Sequence, residues 1–198
     1  MRSAEPDPSF PQPPTHPHGG AAPSPWVQRW SHLIAPGGEV LDLACGHGRH
    51  MRHLTEQGFR PVGVDRNPEA LAQAQAWGET CLADVENHPW PFPGRLFDAV
   101  LITNYLWRPL LPQVLASLAP HGVLIHETFA LGNETVGRPS RPDFLLRHGE
   151  LLQMCAGLHI VAYENGFIAQ PDRFVQRVVA VQTGPDHAGT LRYPLSVE

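Results

Sequence analysis

The sequence predicts an α/β protein with a doubly wound, mostly parallel seven-stranded sheet, one antiparallel edge strand, and helices on both faces. Apolar runs of strand length alternate with helical segments of about ten to fifteen residues, which is the pattern of βαβ units. The fifth run, GVLIHETFA, has the mixed apolar character of a strand covered on both faces. The last two runs have no helix between them, so one of them should run antiparallel at an edge.

Each element is predicted from its own start and stop signals. The first helix begins after Ser24-Pro25 and carries apolar residues at helical spacing as far as Ile34. The second helix ends at Gly58, and the third has Asn67 as its N-cap. Strands are predicted at 39–46, 60–65, 79–85, 96–106, 122–130, 158–169 and 173–183. Helices are predicted at 26–34, 47–58, 67–78, 108–120 and 143–157.

Composition excludes several classes of protein. All 14 basic residues are Arg, so the chain has no lysine for a Schiff base, a Walker motif or a kinase strand. A net charge of -5 without a basic run gives no dedicated nucleic-acid surface and little attraction to an anionic membrane. Three widely spaced cysteines form neither a disulfide framework nor a CxxC site, which fits a reducing, cytoplasmic compartment.

The chain divides into three parts. Residues 1–24 are predicted to be a disordered leader, because eight prolines fall within the first 25 residues and large apolar side chains are almost absent. Residues 25–185 are predicted to form one domain, followed by a C-terminal tail at 186–198. No metal site is predicted, since the histidines near residues 47–53 have no third ligand placed by the sequence.

The clearest motif is the strand-to-helix loop in VLDLACGHGR. Gly46 and Gly48 permit a tight turn and allow a ligand to approach the backbone and the following helix N-terminus. The loop residues Ala44 and Cys45 are therefore expected at a binding site, with an ordinary packed turn as the alternative. Cys45 is interpreted as a packing residue rather than a nucleophile.

Two further acids end the next two strands. Asp65 is placed to accept the hydroxyls of a ribose lying across the switch point; the alternative is a turn Asp or a cap for the helix at Asn67. Asp84 is placed to accept a hydrogen bond from an adenine amino group, or else is a plain loop residue. The chain lacks the third glycine of a nicotinamide fingerprint, and Asp42 would repel a pyrophosphate but attract a sulfonium or an ammonium. S-adenosylmethionine is therefore the favoured cofactor.

Four successive motifs, VLDLACGHGRH, VGVDRNPEAL, LADVENHPWPF and FDAVLITNYL, resemble those of the class I, seven-stranded Rossmann-like S-adenosylmethionine-dependent methyltransferases, particularly the small bacterial type. The resemblance covers residues 36–182. It implies that Asp42, Gly46 and Gly48 hold the methionine part, Asp65 the ribose and Asp84 the adenine. It also implies that Arg66 and Val85 flank the adenine ring.

The acceptor is expected beyond the fourth and fifth strands. Asn104 and Tyr105 leave the sheet where the transferred methyl must point, and Tyr105 is placed to cover the cofactor or stack on a flat substrate. His126 and Glu127 end the fifth strand on opposite faces and are the candidate general bases. The alternatives are that His126 packs under a helix and that Glu127 pairs with Arg138.

The predicted function is direct methyl transfer to a small-molecule acceptor, beneath a lid formed by residues 130–143. No general base is obligatory, because the sulfonium already activates the methyl carbon. Two alternatives remain: a methyltransferase acting on tRNA or protein, and a non-catalytic scaffold that binds S-adenosylmethionine.

Overall fold

The computed structural model describes residues 22–184 and 192–196. The predicted leader therefore lies mostly outside the described residues, as does most of the predicted tail. The helices are α1 (Pro25–Trp30), α2 (Arg49–Glu56), α3 (Pro68–Ala74), α4 (Leu111–Ala116) and α5 (Glu150–Met154). The strands are β1 (Glu39–Leu43), β2 (Arg60–Asp65), β3 (Glu79–Leu82), β4 (Phe97–Thr103), β5 (Leu118–Phe129), β6 (His159–Ile168) and β7 (Arg173–Val181).

The seven strands form one sheet in the order β3-β2-β1-β4-β5-β7-β6. Neighbouring strands from β3 to β5 are parallel, whereas β7 is antiparallel to both β5 and β6. The predicted seven-stranded mixed sheet is therefore confirmed. The reversed strand is β7, which lies one position inside the outermost strand β6, because the β6–β7 hairpin is inserted as a unit beside β5.

Helices cover both faces of the sheet. On one face, the edge-to-face pair Trp26 and Trp30 of α1, 5.6 Å apart, packs with Leu54 of α2 over the alternate residues Val123 and Ile125 of β5. On the other face, α4 and α5 contribute to a separate apolar cluster. That cluster contains Val114, Leu151, Leu41, Leu43, Val100 and Leu124. The two-sided cover explains why the central strands are apolar at nearly every position.

The helix predicted at 143–157 is much shorter in the structure. Leu146 is extended and pairs with Ala130 beyond the end of β5, so this part of the chain forms a β-bridge instead of a helix. Gly149 then takes a left-handed conformation with φ of 71°, and α5 begins only at Glu150. The apolar residues whose spacing indicated one helix belong to two separate segments, the extended one at Leu146 and α5.

The fold opens a crevice at the carboxyl ends of the central strands. β1 lies between β2 and β4, and the chain leaves β1 toward α2 on one face but leaves β4 toward α4 on the other. Such a switch point is where open α/β sheets bind ligands. Within the described residues, no helix has both the length and the apolar character needed to cross a membrane.

Candidate functional site

Two adjoining cavities occupy the crevice. The main cavity, about 490 Å³, runs from the ends of β2 and β3 across β4 to the end of β5 and the loop after it. The glycine-loop cavity, about 230 Å³, lies beside the turn between β1 and α2. Both are lined by Ala44, Asp65, Asn104 and Tyr105, so these residues mark the junction.

The glycine loop is shaped for close approach. Gly46 has φ of 54°, and a Cβ at this position would project into open space, so the backbone itself forms part of the cavity wall. Gly48 has φ of 77°, and a Cβ there would lie 2.9 Å from Ala74 of α3. Gly46 thus leaves room for a ligand, while Gly48 lines neither cavity and allows α3 to pack against the loop.

Ala44 and Asn104 end β1 and β4 in the left-handed region, with φ of 57° and 55°. This backbone conformation is unfavourable for Ala and better tolerated by Asn, and strained positions of this kind concentrate at functional sites. Both residues line the junction of the two cavities.

Asp65 lies at this junction and organises the loop. Its carboxylate accepts hydrogen bonds from the backbone N–H of Gly46 at 2.8 Å and from that of Asn67 at 2.9 Å. Asp65 therefore caps the turn before α3 and also lines both cavities. Each carboxylate oxygen retains a lone pair for a further donor, so the side chain can also bind hydroxyl groups.

The adenine-end residues line the main cavity, among them Arg66, Asp84 and Val85. Asp84 accepts a hydrogen bond from the Asn87 side chain at 2.8 Å and from the Glu86 backbone N–H at 3.1 Å. The Asn87 hydrogen bond holds the pKa of Asp84 below its usual range, so this carboxylate remains an acceptor at neutral pH.

Asp42 lies beneath the loop and lines neither cavity. It is 1% exposed, and its Oδ2 has no hydrogen-bond partner among the described residues. Burial raises the pKa of Asp42 to about 7, although Arg49 opposes the shift. His50 Nδ1 lies 3.8 Å from Oδ2, but burial lowers the pKa of His50 to about 3, so the imidazole is neutral and does not compensate the carboxylate.

Tyr105 lines both cavities and keeps its proton. Its hydroxyl is buried, and the Glu86 carboxylate is the polar group nearby. Burial, together with the nearby Glu86 carboxylate, raises the pKa of Tyr105 well above its usual range. The phenol is therefore able to donate a hydrogen bond or to cover a ligand, but not to act as a base at neutral pH.

His126 and Glu127 lie outside both cavities, contrary to the expected catalytic position. His126 is 2% exposed, its Nε2 is 3.4 Å from the Tyr105 carbonyl oxygen, and burial lowers its pKa to about 4. Glu127 faces the opposite side of the sheet, where Arg177 Nε lies 2.7 Å from its Oε2 and the Ser24 hydroxyl donates to its Oε1 at 2.9 Å. The partner of Glu127 is thus Arg177, and the Arg138 pairing considered from the sequence is wrong.

Several residues that line the cavities were not assigned from the sequence, among them Arg49, Thr128, Arg138 and Phe144. Arg49 follows Gly48 and faces the glycine-loop cavity, a position that the motif itself indicates. The other three lie at or after the end of β5, where sequence alone does not show which side chains turn inward. Within the described residues, no group of three or more His, Cys, Asp or Glu side chains is arranged to hold a metal ion.

Residues 40–122 match the methyltransferase domain family, a stretch that contains the glycine loop, Asp65 and Asp84. The chain is therefore similar to a methyltransferase domain over this stretch, which is less than half of its length. The match supports the predicted resemblance to S-adenosylmethionine-dependent methyltransferases.

Curated relatives of the methyltransferase domain match over only part of their length. Malonyl-[acyl-carrier protein] O-methyltransferase of Serratia marcescens is 33% identical over 107 residues, 50% of this chain and 41% of that protein. The putative methyltransferase YqeM of Bacillus subtilis is 30% identical over 123 residues, 54% of this chain and 49% of that protein. The chain therefore spans less than half the length of these relatives.

Solved structures share the fold at low sequence identity. TehB from Haemophilus influenzae superposes with a TM-score of 0.63 at 18% identity, covering 77% of this chain and 60% of that one. A SAM-dependent methyltransferase from Methanosarcina mazei superposes with a TM-score of 0.64 at 14% identity, covering 82% and 99%. These likenesses establish a common fold.

Proposed function

We propose that the protein transfers a methyl group from S-adenosylmethionine directly to a small-molecule acceptor. The observation that carries this proposal is the order of charged groups along the two cavities. Asp84 lies at one end, Asp65 at the junction and Arg49 beside the glycine loop. That order fits an adenine, a ribose and an amino-acid carboxylate, which are the three polar parts of the cofactor.

The cofactor supplies an activated methyl carbon, to which the acceptor bonds as the carbon–sulfur bond breaks and the sulfur keeps the electron pair. The protein's contribution is alignment. Tyr105 and Asn104 lie at the junction where both cavities meet, and the main cavity continues from there to Thr128 and Phe129. The residues around that continuation would hold an acceptor beside the bound cofactor, and approximation can supply most of the rate enhancement.

The environments of the candidate bases support a mechanism without a dedicated general base. Tyr105 is protonated, His126 is neutral but lies outside the cavities, and Glu127 is occupied by Arg177. The acceptor would then react as an anion already present at neutral pH or lose its proton to water. A small molecule is favoured because the main cavity lies within the domain and the chain has no basic run.

Calorimetric titration with S-adenosylmethionine and S-adenosylhomocysteine tests cofactor binding. Asp65→Ala removes the ribose acceptor and the Gly46 anchor together, so we expect affinity to fall about 100-fold or more. Asp98→Ala is the matched control, because Asp98 also accepts a backbone N–H, that of Glu39 at 2.7 Å, but on a different part of the sheet. Equal affinity in the Asp65 variant, or no binding by the folded wild-type protein, would contradict the proposal.

The acceptor class is tested with labelled cofactor. The protein is incubated with a cell extract and methyl-labelled S-adenosylmethionine, and small molecules, RNA and protein are then separated. We expect label in the small-molecule fraction with the wild-type protein and none with the Asp65→Ala variant. Label confined to RNA or protein would replace the small-molecule acceptor with a macromolecular one.

A further inference from the structure

Part of the main cavity wall is left over once the cofactor is assigned its residues. This acceptor wall consists of Leu106, Thr128, Phe129, Arg138, Pro139 and Phe144. Most of it is apolar and two of its members are aromatic, so it suits a molecule with a flat or aliphatic body. The two polar members, Thr128 and Arg138, indicate which polar group on that molecule the wall could bind.

Arg138 carries a positive charge that no described residue balances. Its guanidinium makes no ion pair and no hydrogen bond within residues 22–184 and 192–196. The nearby acid Glu134 is directed instead to the backbone N–H of Gly132 at 2.8 Å. The other arginine of this cavity, Arg66, differs because it lies near Asp84 and lowers the pKa of that carboxylate. Arg138 is therefore the cation available to a ligand.

Thr128 supplies a second group without a partner. The residue is only 1% exposed, yet it lines the cavity, and its hydroxyl makes no hydrogen bond to any described residue. Because the residue lines the cavity, its hydroxyl is able to donate a hydrogen bond to an acceptor on a ligand. Thr128 and Arg138 thus present donors at the same end of the cavity, away from Asp84 and Glu86.

Two clamps hold this wall in place. Asn133, which is 1% exposed, donates from Nδ2 to the Pro139 carbonyl oxygen at 3.0 Å and accepts the Phe174 N–H at 3.2 Å, tying the Arg138 loop to β7. Arg108 donates to the carbonyl oxygens of Asp143 and Leu145, at 2.6 and 2.9 Å, on either side of Phe144. The wall is thus preorganised, which reduces the entropy lost on binding.

We propose that the acceptor is an organic anion whose carboxylate or phosphate binds Arg138 and Thr128 while its apolar body lies against Phe129 and Phe144. The acidic groups of the main cavity, Asp65, Asp84 and Glu86, lie toward the cofactor end. The electrostatic potential in this cavity therefore favours an anion at the Arg138 end. This inference rests on the proposed methyl transfer and names the substrate class of the same site.

The test uses full-length protein saturated with S-adenosylhomocysteine and three probes: 4-hydroxybenzoate, 4-hydroxybenzamide and phenyl phosphate. Binding is measured by ligand-observed NMR titration. We expect at least one anion to bind about tenfold more tightly than the neutral amide, the order of a hydrogen bond to a charged group. Arg138→Gln should abolish that preference, and Thr128→Val should weaken binding of the anion without affecting the amide. Comparing the affinities for 4-hydroxybenzoate and phenyl phosphate shows whether the site prefers a carboxylate or a phosphate.

The matched control is Arg147→Gln, which removes an equal charge from an exposed arginine outside the cavity lining. It should retain the wild-type preference. Equal binding of acid and amide, no binding of any probe, or an unchanged preference in Arg138→Gln would overturn the inference. Binding of S-adenosylhomocysteine is measured first in each variant; its loss in the wild-type protein would count against the proposed function, whereas its retention confines the failure to the acceptor class.

Discussion

Asp65 and Glu127 are carboxylates at the same edge of the sheet, in opposite environments. Asp65 ends β2, accepts two backbone N–H groups and faces both cavities. Glu127, near the end of β5, is 1% exposed, faces neither cavity and is paired with Arg177. The sequence suggests Asp65 as a ribose acceptor and Glu127 as a candidate base. Only Asp65 lines a cavity and is therefore within reach of a ligand.

The difference teaches how a carboxylate becomes available for binding. Backbone N–H groups fix the orientation of Asp65 and leave each oxygen another acceptor site. Around Glu127, the Ser24 hydroxyl donates to Oε1 and Arg177 Nε lies 2.7 Å from Oε2, and burial keeps both oxygens away from the cavities. Ser24 is also the N-cap of α1. Glu127 therefore joins α1 to the sheet, while Asp65 joins the glycine loop to the ligand.

The largest expected effect follows from breaking the buried pair. Glu127→Ala leaves the Arg177 guanidinium, whose side chain is 13% exposed, with only the half-exposed Glu164 carboxylate at 3.2 Å. Because removing one partner of a buried ion pair costs about 3–5 kcal/mol and Glu164 retains part of the pairing, we expect a loss of about 3 kcal/mol in the free energy of unfolding. Affinity for S-adenosylhomocysteine in the folded fraction should change little. Urea unfolding and calorimetry on the same samples measure the two quantities, and Asp65→Ala should show the reverse pattern.

A double substitution separates an ion-pair role from a catalytic one. Replacing Glu127 and Arg177 together by Met removes both charges, so most of the lost stability should return. If methyl transfer to an identified acceptor also returns, Glu127 is not required for chemistry. A double variant that is stable and binds cofactor but is inactive would show instead that Glu127 acts in the reaction.

The contrast also explains how far the sequence could predict this molecule. The sheet, its mixed character and the expected cofactor end follow from local signals, since strand, glycine loop and acid all lie in the single stretch from Asp42 to Asp65. Alternation along β5 also places His126 and Glu127 on opposite faces correctly. These inferences need only the periodicity of a strand.

The acceptor side depends on contacts between distant parts of the chain. Arg177 is 50 positions beyond Glu127, and Ser24 is 103 positions before it, so no local pattern reveals that the carboxylate is already occupied. In the same way, the extended conformation of Leu146 depends on its pairing with Ala130 rather than on its own helical spacing. Tertiary contacts override local propensity at both places.

A smaller effect is expected at Arg49, on the cavity side of the comparison. Among the described residues, its guanidinium donates a hydrogen bond to the Ala22 carbonyl oxygen alone, at 3.4 Å. Burial lowers its pKa, and a ligand carboxylate would supply a strong partner. Arg49→Gln should weaken S-adenosylmethionine binding about tenfold or somewhat more. Decarboxylated S-adenosylmethionine should bind both proteins equally, as measured by calorimetry.

Arg52→Gln is the matched control for this prediction. Arg52 lies on the same helix and pairs with Glu56 at 3.9 Å, but it lines neither cavity. Its substitution should leave both affinities unchanged. An Arg49 variant that weakens the two ligands equally would show that this residue shapes the loop rather than binding the carboxylate.

The smallest effect is a proton exchange at Asp42, which is as buried as Glu127 but forms no ion pair with a charged side chain in the part of the chain that the structure describes. With its pKa raised to about 7, Asp42 is mostly protonated below that pH in the free protein. A cofactor ammonium or sulfonium nearby would favour the carboxylate, so binding near pH 6.5 should release most of one proton and affinity should rise up to about pH 7 before levelling off. Calorimetry in two buffers of different ionisation enthalpy measures the released proton.

Other groups do not account for such a release. His50, with a pKa of about 3, is already neutral, and an α-amino group with an ordinary pKa of about 7.7–8.0 is already protonated near pH 6.5. Asp42→Asn should therefore abolish the release while retaining the shape of the loop. Proton release that persists in this variant, or the absence of release in the wild-type protein, would show that the charge of the cofactor does not change the protonation of Asp42. Asp42 would then be, like Glu127, a buried carboxylate without a role in ligand binding.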